Sequence, residues 1–240
     1  MITITSLEGG RRAAAALILA VPAATASPVG ASAFRIDPVS VAVAPDKGSA
    51  ELRLENADAK PVAVRVTALR WTQADGRDRT EPTRDLVVSP PIFTVAPGAR
   101  QLIRVGFRSR IPGAAYRLVV EEIPGPKAPG TGISVLLKLD LPFYVIADRG
   151  ALATLSWVAR RGTDGTLIAE GRNTGTLHAQ ILAVEARNAA GQAVGLSQRM
   201  GVVLPSSTRT WTLGRWTALP AEVVVRTAQG EIHVPVRVAL

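Results

Sequence analysis

The sequence predicts an all-β protein folded as two β-sandwiches. Apolar residues recur with period two along many short runs, turn residues punctuate those runs, and no stretch carries the 3.6-residue apolar period of an amphipathic helix. Short strands with frequent turns build antiparallel sandwiches or barrels.

In Ser49–Glu55 (SAELRLE), Leu52 and Leu54 alternate with Glu51, Arg53 and Glu55, which gives a strand with one buried face. The same reading applies to Pro61–Thr67, Arg100–Phe107, Ala115–Ile123, Ala151–Ala159, Ile181–Arg187 and Ile232–Val238. Turns are expected at Pro45-Asp46-Lys47-Gly48, Ala96-Pro97-Gly98, Gly125 to Gly130, Gly162-Thr163-Asp164-Gly165, Asn173-Thr174-Gly175 and Ala190-Gly191.

Before these strands, Arg11-Arg12 precede an apolar run from Ala13 to Ala24 and then small residues, the layout of a secretory signal peptide. Ala31-Ser32-Ala33 supplies the small-x-small pattern, so residues 1–33 are expected to be cleaved before Phe34, with Ala24-Thr25-Ala26 as an earlier site. The run is shorter than the ~20 residues of a spanning helix, which argues against stable membrane insertion. The chain turns polar at Ala147-Asp148-Arg149-Gly150, and the domains are therefore placed at 34–147 and 148–240. Both spans suit immunoglobulin-like sandwiches, and so short a connector predicts a fixed angle between them.

Of the 240 residues, 28 are Lys or Arg and 19 Asp or Glu, a net charge of +9, while 47% are hydrophobic. The basic residues form no arm and aromatics are only 4%, which disfavours a nucleic-acid partner. There is no cysteine and there are only two histidines, His178 and His233, so thiolate chemistry and the usual Cys/His metal sites are excluded. No cofactor is expected.

The most informative segment is Ile133–Val145 (ISVLLKLDLPFYV). As one thirteen-residue strand it would place Ile133, Val135, Leu137, Leu139, Leu141 and Phe143 on one face. A Pro/Gly-rich loop precedes it, and long apolar edge strands are normally avoided because they template pairing with other chains. Periodicity alone is equally compatible with a buried central strand. The functional alternative is a strand offered to a partner.

Several motifs together resemble the PapD-like periplasmic chaperones of the chaperone–usher pathway. They are Ser89-Pro90-Pro91 through Pro97-Gly98 with Arg104, Tyr116-Arg117-Leu118 through Glu122-Ile123-Pro124, Leu141-Pro142-Phe143-Tyr144-Val145, Asn173-Thr174-Gly175, and Val203-Leu204-Pro205-Ser206-Ser207. Their order and spacing span 34–240. The resemblance implies a periplasmic protein that lends an edge strand to pilus or fimbrial subunits, a case of β-augmentation, and delivers them to an outer-membrane usher. Ile133, Val135, Leu137 and Leu139 would enter the subunit. The family commonly holds the subunit's terminal carboxylate with a first-strand Arg, but that position here falls near Ser40, so the resemblance passes the anchor to Arg117 and Lys138. The altered first strand and short loop at 125–132 point to the archaic, spore-coat-like branch. Self-association of the free chaperone is a further possibility.

Two other classes compete. An enzyme would have to use Ser207, His178, His233 or the Glu121-Glu122 pair, yet adjacent strand residues point to opposite faces and His233 alternates outward with Ile232 and Val234. No catalytic residue is assigned. A secreted structural or adhesive β-sandwich protein is the other alternative, though a pilus subunit would normally carry a disulfide.

Overall fold

The computed structural model describes residues 34–125, 135–228 and 230–235, and the backbone of 237–239. The expected leader, its cleavage site and Ile133 lie outside the described residues.

The first sandwich comprises β1 (Phe34–Asp37), β2 (Val41–Val43), β3 (Ser49–Asn56), β4 (Val62–Ala74), β5 (Arg77–Pro82), β6 (Leu86–Ser89), β7 (Ile92–Val95), β8 (Arg100–Phe107), β9 (Ala115–Glu122) and β10 (Lys138–Val145). One sheet runs β1-β3-β8-β6, and the other β2-β10-β9-β4-β5 with β7 also on β4. The second sandwich comprises β11 (Leu155–Arg161), β12 (Thr166–Asn173), β13 (Ala179–Arg187), β14 (Ala193–Ser197), β15 (Gly201–Val203), β16 (Ser207–Arg215), β17 (Glu222–Thr227), β18 (Gly230–Pro235) and β19 (Arg237–Ala239). Its sheets run β16-β12-β11-β19 and β14-β13-β17-β18, with β15 on β13.

Burial follows the alternation. Leu52, Leu54, Ile103 and Val105 are buried between the first two sheets with Leu118, Val120 and Phe143, while Glu51, Arg53 and Arg104 face water. Trp157, Leu167, Ile181, Val223 and Trp211 fill the second core.

Three strand expectations are corrected. The strand expected over Ile133–Val145 begins, among the described residues, only at Lys138. Its neighbour β9 ends at Glu122, whose N–H bonds to the Leu137 carbonyl; the next residue that would donate toward β10 is Pro124, which has no N–H, so Val135 finds no backbone donor. The strand expected from Ala151 starts at Leu155, because the Leu152 and Thr154 carbonyls accept from the loop N–H groups of Thr174, Thr176 and Leu177. The single strand expected over Ile232–Val238 is two, β18 on β17 and β19 parallel to β11, since the chain crosses between sheets there.

A similar crossing opens the first sandwich. β1 pairs antiparallel with β3, the exposed Asp37–Ser40 segment bends away, and β2 then lies parallel to β10 in the opposite sheet.

Each sandwich also contains one fully buried asparagine at the end of a strand. Asn56 donates Nδ2 to the Lys60 and Val95 carbonyls at 2.7 and 2.9 Å and accepts from Asp58 N–H. Asn173 donates to the Leu177 and Val203 carbonyls and accepts from Gly175 and Thr154 N–H. The side-chain amide satisfies carbonyls that the turning backbone cannot reach.

The two sandwiches meet through a specific interface. Trp71, Ala115 and Tyr144 of the first pack with Leu204 of the second. Gln73 donates to the Val202 carbonyl at 2.7 Å and accepts from Leu204 N–H at 3.0 Å. Asp78 accepts from the Trp71 indole N–H and from Arg209, the latter at 2.6 Å. At the tip of the β4–β5 hairpin, Gly76 adopts a φ of 71° and its carbonyl accepts from Thr210 N–H. A Cβ there would lie 2.6 Å from the Thr210 side chain, so glycine serves both the turn and the close approach. These contacts join the two sandwiches across the seam.

Candidate functional site

β10 has β9 along Lys138–Tyr144 on one side, but β2 covers its other side only along Phe143–Val145. Among the described residues no strand pairs with Lys138–Pro142 on that second side, which leaves a short open edge.

The hydrogen-bond phase of the edge follows from its ends. Val145 donates to the Ala114 carbonyl and accepts from Gly113, and Glu122 donates to the Leu137 carbonyl at 2.9 Å. In an antiparallel ladder bonded pairs alternate with non-bonded ones, so Lys138, Asp140 and Pro142 turn their backbone polar groups to the open side. Pro142 offers a carbonyl there but no donor, as expected of a strand proline at a sheet edge.

The side chains divide by parity. Leu141 and Phe143 are buried, Leu137 and Leu139 are half-buried against their own core, and Lys138 and Asp140 stand on the outer face. Ahead of the strand, Val135 and Leu136 are 53% and 45% exposed. Leu137 N–H is held by the Glu122 carboxylate at 3.2 Å, so the exposed lead-in starts from a fixed point. Of the four residues expected to meet a partner, Val135 is free to do so, Leu137 and Leu139 partly serve their own sandwich, and Ile133 lies outside the described residues.

Arg117 and Lys138 share the outer face but are not brought together. Arg117 pairs across to Pro142 and Lys138 to Glu121, four residues apart along β9, or roughly 13 Å. The Arg117 guanidinium lies over the Trp71 ring, 3.6 Å from its centroid, and 3.7 Å from Asp140 Oδ1. Lys138 Nζ is 3.9 Å from Glu121, whose other oxygen is 3.6 Å from Arg65. Ser40, at the expected first-strand position, is exposed between β1 and β2.

Tyr144 turns to the second sandwich, where the His178 imidazole stacks on it with centroids 3.5 Å apart and planes 7° from parallel. Burial raises the Tyr144 phenol to about 12, with nearby Arg117 opposing the shift. Burial also lowers His178 to about 4. Tyr116 donates to Asp85 Oδ2 and accepts from Arg70, both at 3.0 Å; burial, aided by the Asp85 bond, raises it to about 12. Ser207 donates to the Pro205 carbonyl, and His233 faces Glu222 at 3.3 Å. The serine and the two histidines therefore have separate partners.

Residues 33–145 match the family model described as "Pili and flagellar-assembly chaperone, PapD N-terminal domain". That match spans the first sandwich, which is similar to the N-terminal domain of the PapD-like assembly chaperones. No curated protein matches the chain. Among solved structures, a chain of the CsuC–CsuE chaperone–tip adhesion subunit complex from archaic Csu pili of Acinetobacter baumannii superposes with TM-score 0.69 at 18% identity, covering 87% of this chain and all of its own. A chain of the Salmonella enterica SafA pilin–SafB chaperone complex gives 0.61 at 15% identity over 85% and 96%. The class 5 fimbriae chaperone CfaA gives 0.57 at 15% identity over 85% and 99%.

The interdomain contacts of Gln73, Asp78, Tyr144, His178 and Arg209 leave little trace in the sequence. Only the aromatic character of Trp71 and Tyr144 and the Asp75-Gly76 turn hinted at them, since the interface has no sequence period.

Proposed function

We propose that the chain captures pilus or fimbrial subunits by lending them the segment around β10. The observation that carries this reading is the open edge at Lys138–Pro142, continued by an exposed apolar lead-in at Val135 and Leu136. Backbone groups of the edge give affinity, and alternate side chains fill a groove in the subunit. Ile133 and Val135 enter deepest, with Leu137 and Leu139 at the boundary between the two cores; each side chain fully buried contributes about 1.5–3 kcal/mol. The solved complexes that join a chaperone to a tip adhesin or a pilin support this reading.

Arg117 is the cation we assign to a subunit's terminal carboxylate, which would take the place of Asp140 beside the guanidinium. The chain acts in the periplasm after loss of residues 1–33, with 34–147 and 148–240 as its domains, and passes subunits to an outer-membrane usher. It works without cofactor or bond-making chemistry and stands with the archaic branch. Co-expression with candidate subunits tests the reading: an affinity-tagged chain should retain a subunit as a one-to-one complex, and a Val135→Asp chain should not. Equal retention by both overturns the strand assignment.

A further inference from the structure

The apolar pattern of a lent strand leaves its alignment unresolved. A slip of one residue turns every side chain to the wrong face, whereas a slip of two restores the apolar face. Something other than hydrophobicity must distinguish two-residue slips.

The outer face of the sheet holds two rows of charge that alternate in sign toward the open edge. In the first, Arg65 on β4, Glu121 on β9 and Lys138 on β10 are in register, with contacts of 3.6 and 3.9 Å. In the second, Arg117 on β9 meets Asp140 on β10 at 3.7 Å. The last member of each row stands at the edge, with the Lys138 and Asp140 side chains 64% and 56% exposed. Both belong to residues whose backbone groups also face the open side.

The geometry points to Lys138 and Asp140 as the residues that set the register of an incoming strand. They select an acidic side chain alongside Lys138 and a basic one two residues along, beside Asp140. This inference rests on strand addition at β10 and names the occupant: an extended subunit segment, apolar on one face, with an acid and a base at i and i±2 on the other. A two-residue slip would set acid against Asp140 or base against Lys138, and like charges directly opposite are unfavourable. The rule holds for either strand direction, because it concerns neighbours across the edge. β2 and Pro142 close the edge beyond, so no second charge pair competes.

The test uses the mature chain and a displayed library of extended peptides of about nine residues, long enough to cover the open edge. Alternate positions are fixed as apolar and the rest randomised. Selected peptides should carry acid and base two positions apart, and the matched peptide should bind roughly 3- to 30-fold tighter than its charge-reversed form. The preference should invert on a folded Lys138→Glu/Asp140→Lys chain and shrink at ~1 M salt. Zero-length carbodiimide coupling should join the peptide's acid to Lys138. Alternating peptides that bind without charge preference, or whose preference survives the double substitution, overturn the register assignment while strand addition stands. Selection of no alternating peptide overturns strand addition at this edge and the register assignment with it.

Discussion

The His178 imidazole lies flat against the Tyr144 ring, 3.5 Å between centroids, and so joins the second sandwich to the strand proposed to meet a partner. Burial lowers the imidazole pKa to about 4. The unfolded chain takes up a proton there near pH 6.5, and the folded chain only near 4. Stability from this group is therefore present above pH 6.5 and lost as pH falls toward 4, by at most about 3 kcal/mol. Urea unfolding of wild type and His178→Gln between pH 7 and 4 measures it. The variant should lose less stability over that interval, and parallel curves would remove His178 from the account.

Val135 separates capture from folding. It is half-exposed and outside the ladder, so Val135→Asp should change stability by no more than about 0.5 kcal/mol while subunit recovery is lost. Phe143→Ala is the contrast: it empties a fully buried site and should cost about 3–5 kcal/mol. Thermal unfolding and subunit co-purification of both variants check this, and a Val135→Asp chain that unfolds would make the lead-in a core element.

Arg117 has both a structural and a proposed binding role. Arg117→Ala removes the stack on Trp71 and the contact with Asp140, which together should cost about 1–2 kcal/mol of stability. Loss of a desolvated charge partner for a carboxylate should cost a further ~2–5 kcal/mol in subunit affinity. Arg117→Lys keeps the charge without the planar fork and should fall between. Subunit affinity measured beside thermal unfolding of each free variant decides it, and equal losses in the two quantities would leave Arg117 a purely structural residue.

Asp78 joins Trp71, Gln73 and Arg209 at the interdomain seam. Asp78→Ala strands the Trp71 N–H and leaves the mostly buried Arg209 without its carboxylate, a loss of about 2–3 kcal/mol. Small-angle scattering should also show a broader range of domain angles. An unchanged profile and melting curve would leave Asp78 no part in holding the domains together.

Much of the fold was legible because burial and strand period agree. The alternation of Leu52 and Leu54, or of Ile103 and Val105, reads directly as an inward face. β4 ran beyond its expected end because Arg70, Trp71, Thr72 and Gln73 break the apolar alternation: the far half of that strand faces the other domain, where polar groups are satisfied across the seam. Period alone also could not register that β9 stops at Glu122, which shortens β10 however apolar its start. The candidate edge was legible from its apolar residues, but its free hydrogen-bonding face depends on where β2 ends. The stacking of His178 on Tyr144 joins residues far apart in sequence and leaves no local signature.

Mechanically, β10 is a cantilever. Its Phe143–Val145 end is clamped between β9 and β2 and pinned through Tyr144 to the second sandwich, while its other end emerges from the sheet at Lys138. Tension applied at the emerging end runs along the strand axis, so the hydrogen bonds of the β9–β10 ladder share the load in shear and need not open one after another. A partner withdrawn in line with β10 would load all of its bonds to the open edge together, whereas one lifted sideways from that edge would peel away a bond at a time. The same attachment is thus strong in one direction and weak in the other.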